Sequence, residues 1–359
     1  MRDDSVTTTK QATKQAKGSE EHRRQMAKRR ARFLELYDFT SGHGLEIGPL
    51  DSAISDKSVD DVSYVDIFDN AGLRAHYGDD PNVLVDLIPE VDFPHYVDGT
   101  FRDLATAAAP GAPYDWVIAS HVIEHVPDFV GWLDQIARLT VDGGALLLAV
   151  PDRRRTFDRH RPPTTVGQAL EAHELGQTRP GTRALHDFSA SVIRLDPKDL
   201  VRGQPIPGRD RRVHPTLDEA RRQVERGRAG EYVDCHVWLW TPTDFLHQIQ
   251  ELRALGAADW YVETIAPQRR KAGEFLVVLR RSVDGQAPEG LVEPAPDTDL
   301  PGWLYDDLAP AHERIEELEK RVRRLKERSD RLQAEVDRLR ARHPRALLSR
   351  LKARLSRHG

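Results

Sequence analysis

Two groups of residues in this chain have types and spacings suited to chemistry. The first lies in Gly44 to Asp66, GLEIGPLDSAISDKSVDDVSYVD. Glu46 stands just before a turn made by Gly48 and Pro49, and Asp66 closes the next apolar run. That is about the spacing of a nucleotide-binding βαβ unit, where an acid accepts hydrogen bonds from ribose hydroxyls. The turn GPLDSA lacks the later glycines that let a pyrophosphate approach the backbone. Glu46 would also repel a diphosphate, and its carboxylate suits a ligand carrying an ammonium group. The second group is His121-Val-Ile-Glu124-His125. Alone, H-x-x-E-H is the inverted zinc-peptidase motif, which needs both imidazoles on one helix face. An apolar run leading straight into it, and Pro127 directly after it, argue against that helix. An imidazole can instead accept a proton near neutral pH, with His125 the first candidate base and His121 the second.

The elements that must hold these residues alternate strand and helix. Strands are expected at Leu45–Ile47, Val62–Val65, Val83–Leu87, Val91–Phe93, Tyr114–Ser120 and Ala145–Val150. The amphipathic helix FVGWLDQIARL should end at Gly143 and Gly144, and FRDLATAAA should form a shorter one. Residues 152–235 form an insertion rich in Arg, His and Pro, with helices expected in VGQALEAHEL and from Thr216 to Gly227. An insertion there would cover the carboxyl ends of the strands, where open α/β sheets bind ligands. Arg153, Arg154, Arg155, Arg159 and Arg161 would suit a phosphate or carboxylate on a substrate. His186 and His236 are further candidate site members. HVWLW, at His236 to Trp240, has strand character. Thr241-Pro242 opens a helix ending at Gly256, and strands Trp260–Ile265 and Glu274–Leu279 follow.

LEIGPL, YVD, and the block YDWVIAS, helix, Gly-Gly, strand, Pro-Asp stand in the order of the class I S-adenosylmethionine-dependent methyltransferases, which this chain resembles. Leu50 and Ser52 replace the later glycines of that family's E-x-G-x-G-x-G. The resemblance implies a Rossmann-like α/β sheet with helices on both faces and S-adenosylmethionine as cofactor. It implies Glu46, Gly48, Asp66, Asp98, Ser120 and His121 as cofactor-binding residues, with Asp92 the alternative to Asp98 at the adenine amino group. His125, His121 and Glu124 would face the substrate. Some metal-assisted O-methyltransferases carry a similar E-x-x-E-H here. The first acid is His121 in this chain, and two His with one Glu favour a transition metal over magnesium. A divalent metal therefore stands as a second cofactor reading beside the metal-free one. HVIEHVPD, DRRRTFDRHRPPTT and a terminal coil resemble bacterial methyltransferases of surface-glycan biosynthesis. That implies O-methylation of a sugar hydroxyl on a nucleotide-sugar or lipid-linked glycan. The alternative is a non-catalytic scaffold that recruits glycan enzymes through its coil.

The chain has 359 residues, a net charge of −5 and one cysteine, Cys235. The charge argues against a nucleic-acid partner, and one cysteine allows no internal disulfide, as expected in a cytoplasm. The expected organisation is a basic, disordered segment over 1–30, a methyltransferase domain over 31–282, a Pro- and acid-rich linker over 283–310, a coiled coil over 311–342 and a basic amphipathic tail over 344–359. From Ser19 the pattern turns helical, with Leu34, Leu36 and Tyr37 expected to dock that helix beside the core, and the basic run Lys28 to Arg32 reads as a solvated face or a contact for an anionic ligand. Ile315, Leu318, Val322, Leu325, Ser329, Leu332, Val336 and Leu339 alternate spacings of three and four, a heptad seam that favours a parallel homodimer. The tail, with Leu347, Leu348, Leu351 and Leu355 among arginines, suits peripheral contact with an inner membrane surface.

Overall fold

The computed structural model describes residues 20–194, 212–214, 216–266, 273–282, 314, 317–318, 320–329, 331–332 and 338. The chain divides into two units, Met1–Gly302 and Trp303–Gly359.

In the first unit, nine strands and eight helices follow one another among the described residues. They are α1 (20–34), β1 (Gly44–Ile47), β2 (Val62–Asp66), α2 (Asn70–Tyr77), β3 (Phe93–Pro94), β4 (Tyr96–Val97), β5 (Thr100–Phe101), α3 (Leu104–Ala108), β6 (Tyr114–Ser120), α4 (Phe129–Leu139), β7 (Thr140–Pro151), α5 (Val166–Glu174), α6 (Thr182–Ser191), α7 (Asp218–Arg228), α8 (Pro242–Ala254), β8 (Trp260–Ala266) and β9 (Glu274–Arg281). Seven strands form one sheet in the order β3-β2-β1-β6-β7-β9-β8. The first five neighbours in that order pair in parallel, and β9 runs antiparallel to both β7 and β8. The chain moves outward from β1 to β2 and β3, then returns to β6 on the other side of β1. Such a reversal opens a crevice beyond the carboxyl ends of the strands.

The strands are apolar on both faces because both faces are covered. Leu45, Ile47, Val117, Ala119, Leu146 and Leu148 point into one core with α4, α5 and α8. Trp116, Ile118, Ala145 and Leu147 point into the other, with Phe33 of α1 and Phe39. Gly44 is dictated by this packing, since a Cβ there would stand 2.2 Å from the Trp116 ring.

Several expectations need correction. Residues 20–30 are helical, not disordered. The basic run is not a solvated face: Arg30 pairs with Asp60, and Arg29 and Arg32 both pair with Glu274. Val83–Leu87 is not a strand but carries a 3-10 turn at Val85–Leu87. Gly143 and Gly144 lie inside β7, where the register with β6 shifts, and α4 already ends at Leu139. HVWLW is extended, and only Trp240 bridges to Asp152. Its tryptophan rings meet Phe129 edge to face instead, at 4.9 Å for Trp238 and 5.5 Å for Trp240. The helix in the insertion's second half begins at Asp218 rather than Thr216.

In the second unit, the described residues between 314 and 338 are helical. Leu318, Val322, Leu325 and Leu332 of the seam are exposed in the single chain. The linker over 283–310 and the tail over 344–359 lie outside the described residues. Among the described residues, no helix is long and apolar enough to cross a membrane.

Candidate active site at the carboxyl edge of the sheet

β1, β2, β6 and β7 deliver their last residues to one edge, and most of the expected site residues gather there. Gly48 takes φ +63°, and a Cβ on it would meet Val122 at 3.2 Å. The bare backbone leaves room for a ligand at the turn. Leu50, standing where the resembled pattern has its second glycine, still adopts φ +43°. A side chain in that region costs about 1 kcal/mol, so the loop's shape is kept although its glycine is absent.

Asp66 closes β2, accepting from the Ile67 amide at 2.7 Å and, weakly, from the Leu50 amide at 3.4 Å. Burial pushes its carboxyl pKa upward, and those two amides offset this only in part. Glu46 is placed differently from expectation. It is 1% exposed. Its Oε1 accepts from the Ile54 amide at 2.7 Å, and its Oε2 accepts from the Ser55 amide at 2.8 Å and the Ser55 hydroxyl at 2.5 Å. The carboxylate is committed to the loop after the turn. It therefore shapes the crevice and does not present an open acid to an ammonium group.

Asp98 and Gly99, both at positive φ, form the two-residue turn of the β4–β5 hairpin. Asp-Gly is a preferred pair for such turns. Asp98 is exposed beyond the carboxyl end of β3. Asp92 lies elsewhere, tied to the Tyr64 amide and Lys57.

Ser120 ends β6, and its hydroxyl accepts from Arg29 at 2.7 Å. His121 follows at φ +57°, an uncommon conformation of the kind that collects at functional sites. Its Nε2 lies 2.6 Å from Glu274 and its Nδ1 3.3 Å from Glu124. Burial pulls the His121 pKa down, but the bonds and charges of Glu124 and Glu274 outweigh it and hold the imidazole at about 9. The same imidazole, with Arg29, overcomes burial at Glu274 and brings that carboxyl to about 2.

Glu274 joins α1, β6 and β9, so it should matter for stability. A carboxyl depressed on folding stabilises the protein above its unfolded pKa, near 4.5, and loses that contribution as pH falls toward about 2. Glu274→Gln should cost about 2–3 kcal/mol at neutral pH. In urea unfolding the gap from the parent should narrow as pH falls below about 4.5. A gap that is constant with pH would contradict this account.

His125 closes the 3-10 turn Ile123–His125, and its Nδ1 lies 2.9 Å from Asp234. Burial lowers its pKa, but the bond and charge of Asp234 more than compensate and raise it. Its ring meets His236 edge to face at 4.8 Å. His236 Nδ1 lies 2.5 Å from Asp158, which also accepts from Arg161 at 2.7 Å. β1, β2 and β6 run parallel, so Gly48, Asp66 and the turn that carries His125 follow strand ends at the same edge of the sheet.

Asp234, His236, Asp158 and Glu274 complete the site, and the sequence reading had singled out only His236. The visible signal was a polar interruption, Asp-Cys-His, just before an apolar run. Their pairings join residues tens of positions apart and leave no local pattern. The arginines at 153–161 are largely engaged within the protein. Arg161 holds Asp158, Arg154 holds Asp152, and Arg153 donates to the Arg161 carbonyl.

The residues present fit S-adenosylmethionine in part. Asp66 ends β2 at the same sheet edge as the bare-backbone turn at Gly48, and Asp98 is exposed in its hairpin turn. Glu46 would act only indirectly, through the loop.

The strand order, with its reversed β9, and the turn at Gly48 make a mixed α/β sheet whose crevice opens where the order reverses at β1. Residues 19–191 match the family model described as "Methyltransferase domain". The CcbJ methyltransferase from Streptomyces caelestis is similar at 12% identity over 71% of this chain and 89% of its own, with a TM-score of 0.36. An S-adenosylmethionine-dependent methyltransferase from Mesorhizobium loti shares 12% identity over 70% and 96%, TM-score 0.35. Magnesium protoporphyrin IX methyltransferase from Synechocystis PCC 6803, with bound S-adenosylhomocysteine, shares 14% over 73% and 84%, TM-score 0.32. No curated protein sequence matches.

Proposed function

We propose that the protein transfers a methyl group from S-adenosylmethionine to a sugar hydroxyl, carried on a nucleotide-sugar or lipid-linked glycan. The observation that carries this reading is the shared edge. Asp66 and the Gly48 turn lie on the same side of the sheet as the His125–Asp234 pair. Bound there, the cofactor supplies an already activated sulfonium methyl, so the protein's work is placement. Asp66 would accept from the ribose hydroxyls and Asp98 from the adenine amino group, with Ser120 and His121 beside them. His125, oriented by Asp234, is placed to take the acceptor's proton.

A groove of about 480 Å³ between α6 and α7, lined by Arg183, His186, Arg221 and Arg228 together with Glu225, would suit a charged acceptor. Phosphate recognition is assigned there rather than to the engaged arginines at 153–161. The test is radiolabelled S-adenosylmethionine with a panel of bacterial sugar nucleotides and glycolipids. Label should pass to an acceptor. Cofactor binding without transfer to any member would count against the glycan assignment. The missing glycines and the committed Glu46 favour one other reading, a methyltransferase-like scaffold without activity, which predicts no cofactor binding.

The heptad seam is assigned to a parallel homodimer, acting in the cytoplasm with the basic tail at the inner membrane surface. Its exposed Leu318, Val322, Leu325 and Leu332 support a partner helix. Deleting residues 311–359 should give a monomer by light scattering, and a persistent dimer would place the interface elsewhere. Sedimentation with anionic vesicles should lose the protein when residues 344–359 are removed. Equal sedimentation would remove the membrane role.

A further inference from the structure

We propose that the groove between α6 and α7 is a diphosphate site, where Arg183 holds the diphosphate ester of the acceptor beside the turn that carries His125. This rests on the glycan reading above and narrows it to acceptors whose sugar is still joined to a diphosphate.

α7 sorts its arginines by face. Arg222 is paired with Glu219, and Arg226 with Glu231. Arg221 and Arg228 lie instead on the stripe of Leu217, Ala220 and Val224 that lines the groove. Through their side chains these two make no ion pair or hydrogen bond among the described residues. They stand two turns, about 10 Å, apart along the helix, so each can serve a different phosphoryl group. Arg183 enters from α6, half-buried, and its side chain also has no bonded acid among the described residues. Burial lowers its pKa although the charge of Asp187 works the other way. A guanidinium short of both water and a bonded acid gains most from an anion. Glu225 lines the groove too, and His186 is held by Asp187 at 3.2 Å. Three guanidiniums and one carboxylate leave two positive charges, matching the two negative charges of a diphosphate diester. The helices meet closely at Gly227, where a Cβ would stand 2.4 Å from Leu185, so the groove has a set width.

Trp238 joins this groove to the base. The Arg183 guanidinium lies 6.0 Å from the centre of the Trp238 ring. The Trp238 amide donates to the Glu124 carbonyl at 3.2 Å, and its indole N–H donates to the Val126 carbonyl at 2.6 Å. Those carbonyls flank His125, so a diphosphate on Arg183 lies next to its turn. The site also fixes the order of reactions. Glycosyl transfer breaks the bond from the anomeric carbon to the diphosphate oxygen and releases the diphosphate. An enzyme that grips this group acts before that step, and after the reaction that makes the diphosphate ester.

The test is calorimetric titration of the full chain, without cofactor. The probes are inorganic pyrophosphate, glucose 1-phosphate, UDP-glucose and glucose linked to farnesyl diphosphate. One pyrophosphate should bind per chain, and glucose 1-phosphate at least about tenfold more weakly. Arg183→Ala should weaken pyrophosphate binding about 10–100-fold, the range for loss of a charged hydrogen-bonding group. Arg183→Lys should lose less, since charge remains without the fork, and Arg222→Ala should change nothing. Thermal melts show whether Arg183→Ala is folded. The exposed pair, Arg221→Ala with Arg228→Ala, should also lose binding, in a chain whose core is untouched. Tighter binding of UDP-glucose or of the farnesyl-linked sugar identifies the carrier. No pyrophosphate binding by the parent, equal binding of glucose 1-phosphate, or full affinity in both arginine variants overturns the site. Methyl transfer to phosphate-free sugars without a pyrophosphate site removes this proposal alone. Pyrophosphate binding without S-adenosylmethionine binding removes methyl transfer alone.

Discussion

Replacing His125 with alanine should lower kcat on the order of a hundred- to ten-thousandfold, the usual range for loss of a positioned acid–base group. The side chain is held in place by its turn, with its N–H bonded to the Val122 carbonyl at 2.9 Å and its ring pinned between Asp234 and His236. Truncation removes the proton acceptor without touching the Gly48 turn or Asp66. KM for the cofactor should therefore stay close to the parent value while kcat collapses. That split distinguishes a group at the reacting atoms from one that merely supports the loop. Steady-state kinetics on an acceptor found in the radiolabel screen would show it, and a kcat within threefold of the parent would exclude His125 from the chemistry.

Asp158→Ala should destabilise the protein by about 3–5 kcal/mol, because it strands a buried charge. The Asp158–Arg161 pair is completely buried on both sides. Arg161 also donates to the His236 carbonyl at 2.8 Å and lies over the Phe188 ring at 5.4 Å. Without the carboxylate, the guanidinium keeps only a carbonyl and an aromatic face, and His236 loses the bond that orients it. The insertion should loosen where it meets the site. Urea unfolding measures the effect, and Asp158→Asn, which retains one hydrogen-bonding oxygen, should cost less. A loss under about 1 kcal/mol for the alanine variant would mean that this network is not what holds the insertion.

The parts legible in the sequence were those written locally. Strands buried on both faces appear as apolar runs, and Leu45, Val117 and Leu146 fall where their runs predicted. The helix start at Thr241-Pro242 also read correctly, and Thr241 caps it in a box with Asp244. Other features were misread for physical reasons. HVWLW has the composition of a strand, yet its tryptophans find Phe129 and the Val126 carbonyl rather than a ladder partner. α1 read as a helix from Ser19, as found, but its ion pairs did not show. Its place comes from ion pairs with Asp60 and with Glu274, far along the chain. The Glu46 carboxylate was assigned to a ligand because its position before a glycine turn suits one. The loop after the turn supplies three donors of its own, which sequence spacing does not reveal. Asp158, Asp234 and Glu274 each matter through a histidine brought close only by folding.

The central claim is that the carboxyl edge of this sheet binds S-adenosylmethionine with Asp66 at its ribose. Calorimetric titration of the full chain with S-adenosylmethionine, beside Asp66→Ala, measures that directly. The account predicts saturable binding of one molecule per chain and at least a tenfold loss in the variant. No binding by the parent, or equal affinity in both proteins, would contradict it.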